Sequence, residues 1–223
     1  ILRRAQADDT SKSRLVEEFL ARQAGNGYWT QVTRCSEHAR WIPFHASVPY
    51  VRRLFDVSEQ DDTVTTRDRI TRAILAVDPA LAESLPILFT VMGVADAEET
   101  TRATGSTAPT REIAHVMRRF IEHAGDGRPV IFVTDDQQWM DGGSDGVFGD
   151  LVLDPPRSAC LVIVTYRRGH RRRWMRDGRF REIALRPLSE EAMSTLVRSL
   201  VGDDPSLGDL PRRILARAGG NPY

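Results

Sequence analysis

The sequence predicts a three-layer α/β fold, a mostly parallel sheet with helices on both faces, and three observations carry that prediction. Two continuous apolar runs, Val130-Ile131-Phe132-Val133-Thr134 and Leu161-Val162-Ile163-Val164-Thr165, have the composition of strands buried on both faces. Segments of helical period stand before, between and after them. The chain has 223 residues, 41% of them hydrophobic, which is enough for a full core.

In chain order, Leu15, Val16, Phe19 and Leu20 form an apolar stripe of helical period, so a helix led by Lys12 and Ser13 is expected. Gly25-Asn26-Gly27 should end it. Tyr28 to Cys35 then reads as a short strand, rich in aromatic and β-branched residues. Residues 41–104 read as a helical insertion, with Trp-Ile-Pro-Phe at its start, a helix over Thr66 to Val77, and acidic loops around Asp61 and Glu98. From Arg111 to His123, the spacing of Ile113, Val116, Met117, Phe120 and Ile121 makes the clearest amphipathic helix in the chain. Gly125-Asp126-Gly127 closes it. Ile183-Ala184-Leu185 makes a weaker strand after the two apolar runs, followed by a helix from Ser189 and another from about Leu207 to Gly219.

Composition excludes several function classes. The 31 basic and 31 acidic residues cancel, so no global field draws the chain to nucleic acid or an anionic membrane. The most apolar stretches, 86–95 and 159–164, are too short to span a bilayer, which needs about 20 residues. Cys35 and Cys160 stand too far apart for paired zinc ligands and suggest core thiols in a reducing, cytoplasmic setting. Residue 1 is Ile, no targeting segment can be read, and the chain reads as a piece of a larger multidomain protein.

Ligands of a parallel α/β sheet bind beyond the carboxyl ends of its strands, where Asp135, Asp136 and Arg167 fall. Lys-Ser opening a helix, together with an apolar strand ending in an acid, is how P-loop NTPases hold phosphates and magnesium. Lys12-Ser13 and Asp135 supply these parts, and Lys12 is the one lysine among the 31 basic residues. The loop pattern G-x-x-x-x-G-K-[ST] is incomplete, with Gln6 and Ser11 at its glycine positions and Asp8 and Asp9 adding negative charge. No strand is expected before that loop, because Ile1-Leu2-Arg3-Arg4 is short and charged.

Several segments in one order resemble a known family. Lys-Ser-Arg-Leu-Val-Glu-Glu-Phe, Arg-Pro-Val-Ile-Phe-Val-Thr-Asp-Asp-Gln-Gln-Trp-Met-Asp, Val-Ile-Val-Thr-Tyr-Arg, Leu-Arg-Pro-Leu-Ser-Glu-Glu-Ala and Ala-Gly-Gly-Asn-Pro-Tyr look like the STAND branch of the AAA-related P-loop ATPases. Within it, the chain is most similar to modules of bacterial adenylate/guanylate cyclase proteins and LuxR-type regulators. The resemblance covers nearly the whole chain and implies one P-loop NTPase-like domain over residues 1–223. It implies a cytoplasmic regulatory module using ATP and Mg2+. Lys12 and Ser13 would bind nucleotide, Ser13 and Asp135 the metal, Asp136 would activate water and Arg167 would sense the γ-phosphate. Gly220-Asn221-Pro222 would lead into the next module, and the partners would be other domains of the same chain, a cyclase or DNA-binding output or helical repeats. Glycines of the family are replaced by Gln6, Asp9 and Ser11, which implies weak nucleotide binding and weak or no hydrolysis.

Other readings stay open beside this one. Asp135 and Asp136 could end a strand and start a turn. The module could have kept the fold and lost the nucleotide, serving as an interaction module. Eight arginines fall between 167 and 181 against one acid, Asp177, a pattern that reads as a solvated loop or as a nucleic-acid surface with Trp174 as a stacking platform. Gly142-Gly143-Ser144-Asp145-Gly146, followed by Asp154 and His170, matches a hydrolase nucleophile elbow, but no clean helix is expected after Ser144.

Overall fold

A computed structural model describes residues 2–5, 9–104, 109–124, 128–185, 188–202 and 208–218. Expectations placed on Gln6, Asp8, Gly125-Asp126-Gly127, Leu207, Gly219 and Gly220-Asn221-Pro222 lie outside the described residues. The strands are β1 (Leu2–Ala5), β2 (Trp29–Arg34), β3 (Val130–Asp135), β4 (Cys160–Tyr166) and β5 (Arg181–Ala184). They form a parallel sheet in the order β2-β3-β4-β1-β5.

The presence of β1 corrects the expectation that no strand precedes the loop. It lies between β4 and β5, with Leu2 opposite Ile163 and Arg181, and Ala5 opposite Tyr166 and Ala184. A strand with a partner on each edge satisfies its backbone donors and acceptors through two ladders, so pairing overrides the weak propensity of four residues.

The helices are α1 (Asp9–Gln23), α2 (Val48–Leu54), α3 (Thr63–Val77), α4 (Leu85–Val91), α5 (Ala97–Thr104), α6 (Pro109–Ala124), α7 (Gly142–Leu153), α8 (Glu190–Val201) and α9 (Leu210–Ala218). Their starts follow local chemistry. The Asp62 carboxylate accepts the Thr65 N–H at 2.7 Å to begin α3, and Ser189 Oγ accepts the Ala192 N–H at 3.2 Å to begin α8.

Helix α7 is a second correction, since the sequence leads to no clean helix being expected after Ser144, yet α7 runs through it from Gly142 to Leu153. Asp141 caps the helix by accepting the Ser144 N–H at 2.9 Å, and the same carboxylate accepts the N–H groups of Phe44 and Ala46. The glycines permit close approach. A Cβ on Gly146 would stand 2.6 Å from Thr110 Cγ2 of α6, and one on Gly143 would stand 3.0 Å from the Phe44 ring. Packing that needs a missing side chain offsets the poor helix propensity of glycine.

Strand alternation sorts the core onto the two faces of the sheet. Ile131, Val133 and Ile163 meet Val16, Phe19 and Leu20 of α1. Val130 and Phe132 point the other way, into a large cluster built by α2 to α7 that includes Val51, Ile70, Leu88, Ala103, Ile113 and Val116. Val164 and Tyr166 join Val152 and Trp174 on that same side.

Candidate functional site

The carboxyl edge of the sheet gathers the residues that the sequence singles out. Helix α1 brings Ser13 over the end of β3, where Ser13 Oγ donates to Asp135 Oδ2 at 2.6 Å. Lys12, one residue earlier and the one lysine in the sequence, is 1% exposed. A lysine is rarely buried to this extent, and at the first turn of a helix its charge runs against the positive end of the helix dipole.

Asp135 is buried and accepts a second hydrogen bond on its other oxygen, from Thr165 Oγ1 of β4. Thr165 in turn accepts the Asp136 N–H at 3.0 Å. A single hydroxyl thus ties the end of β4 to both acids after β3. Asp136 takes the left-handed conformation, φ 58°, which aspartate tolerates better than most residues. Its carboxylate accepts from Gln138 Nε2 at 2.9 Å, and Gln138 Oε1 accepts the Arg167 N–H at 3.1 Å. Asp136 and Arg167 are therefore bridged by Gln138. The Arg167 guanidinium also lies 5.7 Å from the Trp139 ring centroid, and Arg40 approaches the same ring at 5.6 Å.

All five sequence-derived candidates, Lys12, Ser13, Asp135, Asp136 and Arg167, fall on this edge. Sequence reasoning missed Thr165 and Gln138. Thr165 had a readable signal, a polar residue closing an otherwise apolar strand, whereas Gln138 acts through a loop conformation that no spacing encodes.

Two of the positions where the family has loop glycines, Asp9 and Ser11, are described in the structure. Asp9 and Ser11 lie in the helical backbone of α1, so the helix begins before Lys12-Ser13, and neither residue occupies a positive-φ position. This corrects the expectation of a helix opening at Lys12.

Ser13 Oγ and Asp135 Oδ2 make a hard oxygen pair of the kind magnesium takes alongside phosphate and water oxygens. Among the described residues no group of three or more His, Cys, Asp and Glu side chains is placed to hold a metal by itself. Burial, helped by Asp141, Asp136, Asp135 and Asp145, pushes the Cys35 thiol at the end of β2 up to about 12. It is therefore a neutral packing group beside the acids.

Two competing sets of residues are arranged for packing. Ser144 is buried inside α7, with its Oγ accepting from Ser47 Oγ at 3.0 Å, and Asp154 pairs with Arg118. No strand-to-helix elbow presents that serine. Trp174 is 2% exposed and packs edge-on against Phe148 and Phe180, which removes it as a stacking platform for bases. Within the arginine cluster, Arg172 pairs with Asp145 at 2.9 Å and Arg179 pairs with Asp177 at 2.8 Å.

Among the described residues no helix is long and apolar enough to cross a membrane. No curated protein and no solved structure matches the chain. The family model of the AAA ATPase domain matches residues 10–164, from the start of α1 through Val164 of β4, and so takes in Lys12, Ser13, Asp135 and Asp136. With more than half its length matched and a parallel sheet whose carboxyl edge joins these residues, the chain belongs to the AAA ATPase domain family.

Proposed function

We propose that the chain is an ATP-binding regulatory module of the STAND type, with a three-layer P-loop arrangement and weak or no hydrolysis, working inside a multidomain signalling protein. The observation that carries this reading is the 2.6 Å hydrogen bond from Ser13 to Asp135, next to the buried ammonium of Lys12. Lys12 would neutralise phosphate charge, and Ser13 and Asp135 would hold Mg2+. The ion would supply charge neutralisation between the phosphate oxygens. Asp136 would orient water, and Arg167, bridged to it through Gln138, would sense the γ-phosphate end. Differential contacts of ATP with two arrangements of this edge would shift the module's docking on neighbouring domains of the same chain, a cyclase or DNA-binding output or helical repeats.

A second reading has its own observation. Because Asp9 to Ser11 already follow the helix, the backbone there offers phosphate only the first-turn N–H groups of a helix N-terminus and no loop wrapped around it. That favours a module that keeps the fold and signals through contacts without nucleotide.

Titration with a fluorescent ATP analogue, with and without Mg2+, separates the two. Binding should be weak, strengthened by Mg2+, and abolished by Lys12→Ala. Asp135→Asn should remove the Mg2+ dependence, and Asp136→Asn should spare binding while lowering any hydrolysis. Affinity unchanged by Lys12→Ala would reject the nucleotide reading.

A further inference from the structure

A cavity of about 250 Å3 lies on the opposite side of the sheet from α1, between β2, β3 and β4 and the helices α2, α6 and α7. Its wall is mostly apolar, with Met117, Ile121, Phe132, Val147, Phe148 and Val162 contributing. An engineered apolar cavity of about 150 Å3 is enough for benzene, so this one has room for a larger ring system.

Three polar atoms in the same wall have no hydrogen-bond partner among the described residues: Gln31 Oε1, Tyr50 Oη and Ser158 Oγ. Gln31 is 5% exposed and Tyr50 is 4% exposed. Leaving such groups buried and unmatched costs about 1–3 kcal/mol each, so a wall that carries three of them is built to be completed by something else.

The chemistry of the wall restricts what completes it. Burial raises the Tyr50 phenol well above its ordinary range and the Cys160 thiol to about 11, so both stay neutral. The one charged residue in the wall, Arg179, already donates to Asp177 and to the Val152 carbonyl. No charge is left to neutralise an ionic ligand. Tyr50 and Phe132, with ring centroids 5.3 Å apart, provide aromatic surfaces.

We propose that this cavity is a binding site for a small neutral aromatic molecule, about the size of a two-ring system, carrying one or two hydrogen-bonding groups that meet Gln31, Tyr50 and Ser158. The assignment is independent of nucleotide binding.

The probe is 2-naphthol, added to the full chain labelled with 13C at its methionine methyl groups. Met117 and Met140 line the cavity, whereas Met92, Met175 and Met193 do not. Saturable shifts of the Met117 and Met140 signals, with cross-relaxation to the naphthol ring protons, are expected, and the other three signals should stay in place. Naphthalene should bind more weakly and 2-naphthoate more weakly still. Tyr50→Phe, Gln31→Leu and Ser158→Ala preserve shape, and each should reduce the preference for 2-naphthol over naphthalene by about two- to tenfold. The proposal is overturned if Met117 and Met140 do not respond up to the solubility limit, or if all five methionines respond alike. It is also overturned if the preference over naphthalene survives the substitutions. Ser158 lies outside the helices and strands, so Ser158→Ala keeps the comparison available if a core variant does not fold.

Discussion

On one face of the sheet, Ile131, Val133 and Ile163 are covered by Val16, Phe19 and Leu20 of a single helix, α1. On the other, Val130 enters a cluster that extends from Tyr50 through Ile113 and Val116 to Val147 and draws on six helices, α2 to α7. The thin face carries Lys12 and Ser13, and the thick face carries the bulk of the buried apolar area. Hydrophobic stabilisation follows buried area, so stability should reside mainly on the thick face and the candidate chemistry on the thin one.

The largest effect should come from the thick core. Ile113 is fully buried, and Ile113→Ala should cost about 2–5 kcal/mol in urea unfolding. Val16 loses a smaller side chain from a smaller cluster, so Val16→Ala should cost clearly less. Equal losses would mean that the two faces share one cooperative core and that the comparison fails.

Much of the thick face was legible in the sequence, and the reasons are physical. The stripe from Ile113 to Ile121 has an unbroken helical period because α6 buries one face along its length. The run from Val130 to Thr134 is continuous because β3 has neighbours on both edges and packing on both faces. The thin face was harder to read. Four residues with two arginines carry no strand signal of their own, and β1 exists through its pairing with β4 and β5. At the site, Asp135 announced itself as an acid ending an apolar strand. Its link to Asp136 through Thr165 depends on register between β3 and β4, which single-sequence patterns do not encode.

Helix α7 offers an intermediate effect with an unusual sign. Alanine normally stabilises a helix relative to glycine by about 0.5–1 kcal/mol. At Gly146 the new Cβ would stand 2.6 Å from Thr110 Cγ2, on a β-branched residue with little rotamer freedom, so Gly146→Ala should destabilise by about 1–3 kcal/mol. At Gly149 the nearest atom is Trp174 Cδ1 at 3.5 Å, an ordinary contact, and Gly149→Ala should be neutral or slightly stabilising. Thermal unfolding of the pair measures the α6–α7 approach directly, and a stabilised Gly146→Ala would show that the glycine is not required for packing.

The smallest effect compares one ion pair from each face. Arg67 of α3 holds Glu99 of α5 through two bonds, at 2.6 and 2.7 Å, with side chains 31% and 13% exposed. Arg34 of β2 meets Glu17 of α1 through one bond at 2.8 Å, with side chains 68% and 50% exposed. Hydrogen bonds from Arg67 hold the Glu99 carboxyl down at about 2, against an ordinary value of 4.5. A carboxyl whose folded-state pKa is depressed stabilises the fold above its unfolded value, and that contribution fades as pH falls from about 4.5 toward about 2. Glu99→Gln should therefore lower stability slightly at pH 7, and the gap to the native chain should close across that acid window in urea unfolding measured at each pH. Glu17→Gln should leave stability unchanged at every pH, because an exposed single-bond pair gains little over water. A gap for Glu99→Gln that stayed constant down to pH 2 would assign the effect to packing between α3 and α5 instead of charge. A pH-dependent gap for Glu17→Gln would show that α1 is held to the sheet electrostatically, and the thin face would then need more than Val16, Phe19 and Leu20 to explain its attachment.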